Sequence, residues 1–128
     1  MGKIDSFKDL IVYQKAYNLA MDIFEISKSF PYEEKYSLTD QIRRSSRSIT
    51  ANLTEAWAKR RYEKVFINKL SDCLGEEHET EVWLDYAKDC QYINKETHEK
   101  IVSNYLEVRK ILISMINCPE KWCPSLKQ

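Results

Sequence analysis

The chain has 128 residues, of which 43% are hydrophobic and 31% are charged. A chain of this length can bury one core of its own, and this composition excludes an intrinsically disordered protein. No run of consecutive Val, Leu and Ile residues is longer than three, so we expect no membrane-spanning helix. The N-terminal residues lack the apolar stretch of a secretory signal, and we therefore expect a cytoplasmic protein.

Charge is balanced over the whole chain but unevenly distributed along it. The 20 basic and 20 acidic residues give a net charge of zero, which offers no general argument for nucleic-acid binding. Residues 36–64 contain seven basic and three acidic residues, a net charge of +4, whereas residues 65–91 contain two and seven, a net charge of −5. Two neighbouring segments are therefore oppositely charged.

Residue types that support catalysis or metal binding do not occur in the required patterns. The four cysteines form no CxxC pair, which favours reduced thiols over zinc binding. Di-iron bundles use Glu-x-x-His pairs, but Gly75 stands three residues before His78, and Lys95 stands three before His98. Because nucleophile elbows, phosphate-binding glycine loops and HExxH motifs are also missing from the sequence, we predict no catalytic residues, no metal and no cofactor.

Helix breakers are rare, which predicts long helices. The two glycines are Gly2 and Gly75, and the three prolines are Pro31, Pro119 and Pro124. The predicted helices span about 6–29, 38–59, 63–90 and 95–117, with a tail over 118–128. Four helices of this length with short connections predict an all-α fold, an antiparallel up-down four-helix bundle that forms a single domain over 1–128.

Capping patterns place the helix starts. Ser6 with Asp9, and Ser37 with Asp40, are typical of N-terminal caps, and Asn94 is a third candidate. Gly75 lies inside the third predicted helix, where glycine costs stability, so we expect a close approach of a neighbouring helix there.

Apolar residues at spacings of three and four predict the buried face of each helix. The first helix has Phe7, Leu10, Ile11, Tyr17, Ala20 and Phe24; the second has Leu38, Ile42, Ser45, Ile49, Leu53 and Ala56; the third has Phe66, Leu70, Cys73, Thr80, Leu84 and Ala87; the fourth has Ile101, Tyr105, Val108, Leu112 and Met115.

A second, polar stripe runs along the second helix beside its apolar one. Gln41, Ser48, Asn52 and Glu55 share this face of the helix. Amides and carboxylates at this spacing suit hydrogen bonding to a neighbouring helix, either within the bundle or across a subunit contact. We call these four residues the polar seam, and we expect it to be structural rather than a ligand site.

Basic residues form the candidate binding surface. The candidates for phosphate contacts are Arg43, Arg44, Arg47, Lys59, Arg60, Arg61 and Lys64. Arginine binds phosphate oxygens in a bidentate manner, and Tyr62 beside the last four could stack on an unpaired base. The alternative is a solvated face, or ion pairs with the glutamates at 76, 77, 79 and 81 on the next helix.

Three stretches of the sequence resemble a known family. They are FKDLIVYQKAYNLA, FPYEEKYSLTDQIRRSSRSITANLTEAW and HETEVWLDYA. Together they resemble the 23S rRNA-intervening-sequence proteins over roughly residues 7–116, most specifically in the family's pattern QIRRAxxSIxxNIAEGxGR. This sequence departs from the pattern at Ala56, Ala58 and Lys59, where the family tends to have glycine, glycine and arginine.

The resemblance implies a four-helix bundle that assembles into a homo-oligomer, a ring of five copies. It also implies similarity to the accessory protein of diversity-generating retroelements, which is thought to bind nucleic acid and a reverse transcriptase. We therefore hypothesise a non-enzymatic, pentameric protein that binds RNA or other nucleic acid. The alternative is a structural or adaptor oligomer, whose basic and acidic faces pair between subunits or with another protein.

Overall fold

A computed structural model of the chain describes residues 3–124 as four helices joined by short connections. The helices are α1 (Ile11–Ser27), α2 (Leu38–Ala58), α3 (Glu63–Asp89) and α4 (Lys95–Asn117). α1 packs against α2 and α4, and α3 packs against the same two helices, so α2 and α4 lie diagonally opposite each other. No strand occurs in residues 3–124. The predicted all-α, up-down four-helix bundle is confirmed.

The first helix begins later than its capping pattern predicted. Ser6 and Asp9 do form a capping box, in which Asp9 Oδ2 accepts from the Ser6 amide at 3.0 Å, but this box caps only a 3-10 turn over Phe7–Asp9. The backbone is extended at Leu10, with φ −68° and ψ 129°, and α1 starts one residue later. The predicted range 6–29 is therefore wrong at its start, and it ends two residues too late.

The buried face of α1 also differs from the prediction. Ile11 and Tyr17 were predicted to be buried, but they are 64% and 50% exposed. The residues of α1 that lie in the core are Val12, Ala16, Leu19, Ala20, Ile23 and Ser27. The prediction failed because α1 carries apolar residues outside its core face on two sides. Tyr17 stacks on Tyr13 in an aromatic stripe, whereas Ile11 lies on another side and lines a surface pocket with Ile111 and Met115.

The predicted core residues of the other three helices are all buried. Three buried residues were missed: Thr39 and Ser46 on α2, and Glu77 on α3, whose side chain is 0% exposed. Glu77 lies four residues after Cys73 and three before Thr80, so it occupies the core stripe itself. The spacing alone could have identified it, but a carboxylate was not expected at such a position.

Of the two N-terminal caps predicted for α2 and α4, the structure contains only the one for α4. Asn94 caps α4 as predicted, because its side chain accepts from the Thr97 amide at 2.7 Å. Ser37 precedes α2 but does not cap it, since its hydroxyl donates to Glu34 Oε1 at 2.6 Å. The same Glu34 oxygen accepts from the Leu38 amide at 3.3 Å, so Glu34 supplies the contact that was predicted for Ser37.

Gly75 does not mark a close helix approach. A methyl group built at its Cα would meet no side chain or neighbouring helix within 4 Å. The expected tight packing there is therefore wrong, and the residue lies on the exposed side of α3.

The end of the chain returns to the bundle. Residues Pro119–Lys121 form a 3-10 turn, after which the ring of Trp122 meets that of Trp57 edge-on, with centroids 6.4 Å apart. Residues 125–128 of the predicted tail lie outside the described residues. None of the helices over 3–124 has the length and apolar character needed to span a membrane.

Candidate nucleic-acid interface

The basic residues of α2 point to two different neighbouring helices. Arg44 faces α3, where its guanidinium contacts two carboxylates: Nη2 lies 2.6 Å from Glu79 Oε2, and Nη1 lies 3.5 Å from Glu76 Oε1. The hydrogen bond to Glu79 raises the pKa of Arg44. Partial burial raises the pKa of Glu76. The charge of Arg44 is thus largely matched inside the chain.

Arg43 and Arg47 face α1 and meet an aromatic ring instead of a carboxylate. Their guanidinium carbons lie 4.9 Å and 5.7 Å from the centre of the Phe24 ring, and Lys28 Nζ lies 4.8 Å from it. Arg43 Nε also donates to the Ser27 hydroxyl at 2.8 Å. Neither arginine forms an ion pair with a carboxylate of residues 3–124. These contacts position the two guanidinium groups but do not neutralise their charge.

Aromatic side chains continue along the same face of α1. The rings of Tyr13 and Tyr17 stack with centroids 6.0 Å apart, and Phe7 meets Tyr13 edge-on at 5.2 Å. Spacings of four and seven place Tyr13, Tyr17 and Phe24 on one side of the helix. The boundary of α1 and α2 therefore carries aromatic rings with cations at one end.

The second group of basic residues lies at the turn between α2 and α3. Lys59, Arg61 and Lys64 are exposed, and none forms an ion pair within the described part of the chain. Arg60 stacks on Trp57, with its guanidinium carbon 3.9 Å from the ring centre, and its Nη1 donates to the Trp57 carbonyl at 2.8 Å. The turn thus displays four cations, one of which has a fixed orientation.

Six of the seven predicted phosphate contacts therefore share one property: their charge is not matched by a carboxylate of residues 3–124. We call them the unpaired basic set. They are Arg43, Arg47, Lys59, Arg60, Arg61 and Lys64. Arg44 does not belong to this set, because it forms ion pairs with Glu76 and Glu79 of α3.

The polar seam makes most of its hydrogen bonds within α2. Gln41 Oε1 accepts from Arg44 Nε at 3.3 Å, the Ser48 hydroxyl donates to the Arg44 carbonyl at 2.8 Å, and Asn52 Nδ2 donates to the Ser48 carbonyl at 3.0 Å. Glu55 alone reaches another helix, through an ion pair with Lys69 at 3.1 Å. The seam borders an open groove of about 440 Å³ between α2 and α3.

An ionic cluster that was not predicted from the sequence joins α3 to α4. Arg109 Nε lies 2.9 Å from Glu77 Oε1, and the same guanidinium hydrogen-bonds to Glu81. Burial raises the pKa of Glu77 to about 8, whereas the pKa of Glu81 is lowered because its hydrogen bonds with Glu77 and Arg109 outweigh its own burial. The single guanidinium of Arg109 cannot fully balance the charge of two carboxylates. Glu77, the more buried of the two, therefore retains a proton more readily than Glu81.

Three buried side-chain polar atoms have no hydrogen-bond partner among residues 3–124: Glu77 Oε2, Trp83 Nε1 and the hydroxyl of Tyr105. No group of three or more His, Cys, Asp and Glu side chains within 3–124 is arranged to hold a metal ion. The cluster of Glu77, Glu81 and Arg109 is an ionic contact between α3 and α4.

Fold and surface together define a small helical-bundle protein with an exposed cationic turn. The chain belongs to the 23S rRNA-intervening sequence protein family, whose sequence profile matches residues 8–114. It is also similar to a crystal structure from Bacteroides thetaiotaomicron, described as a protein of unknown function from the S23 ribosomal protein family. The two share 37% sequence identity and a TM-score of 0.76, over 84% of this chain and 96% of the other. No curated protein matches the chain.

Proposed function

We propose that this protein is a non-enzymatic, homo-oligomeric bundle, a pentamer, that binds RNA through the unpaired basic set. The observation that carries the proposal is the contrast between Arg44, which has two carboxylate partners, and the six other cations, which have none in residues 3–124. A cation without a carboxylate partner can neutralise a phosphate without first breaking an ion pair.

The family name supports RNA as the polyanion. The family is named for intervening sequences of 23S rRNA, and the related structure is assigned to a ribosomal protein family. Such an association is weaker than a binding site, so the proposal depends on the charged surface for its physical basis.

Self-assembly is supported by apolar side chains on the outer surface of the bundle. Val82 and Tyr86 share the exposed face of α3, and Leu106 and Ile113 share that of α4. Exposed apolar residues that recur on one face of a helix favour burial against another chain. A ring would also bring several copies of the basic turn together, which raises affinity for a long polyanion through multivalency.

The experiment compares RNA binding and oligomer mass in the same samples. We expect wild-type protein to bind a mixed-sequence RNA with an affinity that falls steeply as salt increases, and the variant Arg60→Glu/Arg61→Glu to lose most of that affinity. The control is Lys100→Glu/Lys110→Glu, which changes net charge equally on α4, the helix diagonal to α2. Binding that does not depend on salt, or equal losses in both variants, would contradict the proposal.

The alternative function is an adaptor whose subunits pair through opposite charges. It is favoured by the acidic groove beside the polar seam, which Asp72, Glu76 and Glu79 border and which the basic turn of another copy could enter. In that case the Arg60→Glu/Arg61→Glu variant would lose its ring by light scattering. If the variant stays at five times the 15.2 kDa chain mass while RNA binding is lost, the adaptor function is excluded.

A further inference from the structure

We propose that the α2–α3 turn receives an unpaired nucleotide of single-stranded RNA, with the base stacked on Tyr62 and the adjoining phosphates on Lys59, Arg61 and Lys64. This inference rests on the proposed function, because it names the kind of nucleic acid that the basic turn binds. It depends on three features of the turn: an uncovered ring, a fixed backbone and a concentration of cations.

Tyr62 presents an open aromatic surface. Its side chain is 60% exposed, and within residues 3–124 no aromatic ring stacks on it and no Lys or Arg lies over its face. Two other exposed tyrosines differ in this respect, because Lys35 Nζ lies 5.5 Å from the Tyr32 ring centre and 5.3 Å from that of Tyr36. The ring of Tyr62 is therefore available for stacking as it stands.

The backbone that carries Tyr62 is held on both sides. Its amide donates to the Lys59 carbonyl at 2.9 Å, and its carbonyl accepts from the Phe66 amide at 2.9 Å, where α3 begins. Because the main chain is already ordered, only the side chain loses freedom when a base stacks on the ring.

Charge around this ring favours a polyanion. Residues 59–64 contain four cations and one carboxylate, Glu63. Arg60 stacks on Trp57 and donates from Nη1 to the Trp57 carbonyl. Lys59, Arg61 and Lys64 are exposed and form no ion pair within residues 3–124, so their charge is available for phosphate oxygens. Cations placed around an exposed ring are the arrangement that proteins use for single strands.

A duplex fits this turn less well than a single strand. Bases of a duplex stack on each other, and the major groove of A-form RNA is too deep and narrow for side chains to read. An exposed ring can stack on a base only after that base has left the duplex stack. The basic residues alone would still attract a duplex through its phosphates. Tyr62 is therefore the residue expected to make affinity for a single strand higher than affinity for a duplex.

The test measures fluorescence anisotropy with a labelled single-stranded RNA of about 12 nucleotides and with its duplex. We expect Tyr62→Leu to weaken single-strand binding by about 5- to 150-fold, since that is the range that loss of one stacked base gives. Binding of the duplex should change by less than about twofold. Tyr62→Phe keeps the ring and should keep the affinity, and Tyr36→Leu is the control for loss of an exposed tyrosine.

Other outcomes of this experiment would contradict either the stacking inference or the proposed RNA binding, and they distinguish between the two. If wild type binds single strand and duplex equally and Tyr62→Leu changes neither, the stacking inference fails while the proposed RNA binding stands. If wild type binds neither ligand, the proposed function itself fails. If Tyr62→Phe loses as much affinity as Tyr62→Leu, the hydroxyl is responsible and base stacking is excluded. Far-UV circular dichroism establishes that each variant is folded.

Discussion

Arg109 on α4 donates from Nε to Oε1 of Glu77 on α3 at 2.9 Å, and the Glu77 side chain is entirely buried. Arg109 itself is not fully buried: 27% of its side chain is exposed to solvent. Its guanidinium also pairs with Glu81, which is partly exposed as well. An arginine at the surface therefore keeps a carboxylate in the core. Loss of the arginine would leave the carboxylate with His78, whose Nε2 lies 3.8 Å from Glu77 Oε1, as the remaining basic partner among residues 3–124.

Arg109→Met should destabilise the protein by about 2–3 kcal/mol, less than is usual when a fully buried pair is broken, because burial raises the pKa of Glu77 to about 8 and the carboxyl is already mostly protonated at neutral pH. Urea denaturation at neutral pH measures the change. The double variant Glu77→Met/Arg109→Met is the control, and it should recover part of the loss since no buried charge remains. A double variant less stable than Arg109→Met would show that the ionic contact is not the cause.

The pH dependence of stability should contain a contribution from Glu77. Its pKa in the folded protein is raised to about 8 by burial, above its value in the unfolded chain, so the folded state binds an extra proton between these two values. This contribution is fully present below the unfolded pKa and is lost as the pH rises through about 8. Glu77→Gln removes it, so the stability of that variant relative to wild type should increase as the pH rises from about 5 to about 8 and then level off. Parallel stability curves for the two proteins would contradict this assignment.

Gly75→Ala should stabilise the protein by about 0.5–1 kcal/mol. The position lies within α3, a methyl group there meets no neighbouring helix or side chain, and alanine loses less conformational freedom than glycine when a helix forms. Thermal denaturation measures the gain. Ala51→Gly, at an exposed position of α2, is the reverse control and should cost a similar amount. A loss of stability in Gly75→Ala would mean that another chain packs against this site.

Arg44 and Arg61 should differ in what their removal changes. Arg44→Ala removes two partly exposed ion pairs and should cost about 0.5–1 kcal/mol of stability, with little effect on RNA affinity. Arg61→Ala should leave stability unchanged and reduce both RNA affinity and the slope of its dependence on salt. Denaturation and anisotropy of the same two variants provide the comparison. Equal effects on RNA binding would contradict the division between paired and unpaired cations.

The sequence predicted the buried faces of α2, α3 and α4 because the longest apolar stripe of each of these helices is the one that enters the core. It failed at α1, where aromatic residues such as Tyr17 form a second stripe, and where the extended backbone at Leu10 separates the cap from the helix. Spacing alone does not say which of two apolar stripes enters a core, since that depends on what the neighbouring helices bring to it.

The sequence located the basic residues but could not assign their partners. Arg43 and Arg44 are adjacent in the chain, yet one meets Phe24 of α1 and the other meets Glu79 of α3. A turn of about 100° between successive residues sends neighbouring side chains to different helices. Whether an arginine of α2 is paired with a carboxylate therefore depends on the packing of α1 and α3 against α2.

The edge-on contact between Trp57 and Trp122 places two of the three tryptophans of the chain close to the basic turn. Indole emission depends on nearby charge and on solvent, and the Arg60 guanidinium already lies over one of these rings. A ligand that draws Arg60 away from Trp57 would therefore alter the intrinsic fluorescence of the protein. The molecule carries its own optical reporter for events at this turn, and it needs no added label.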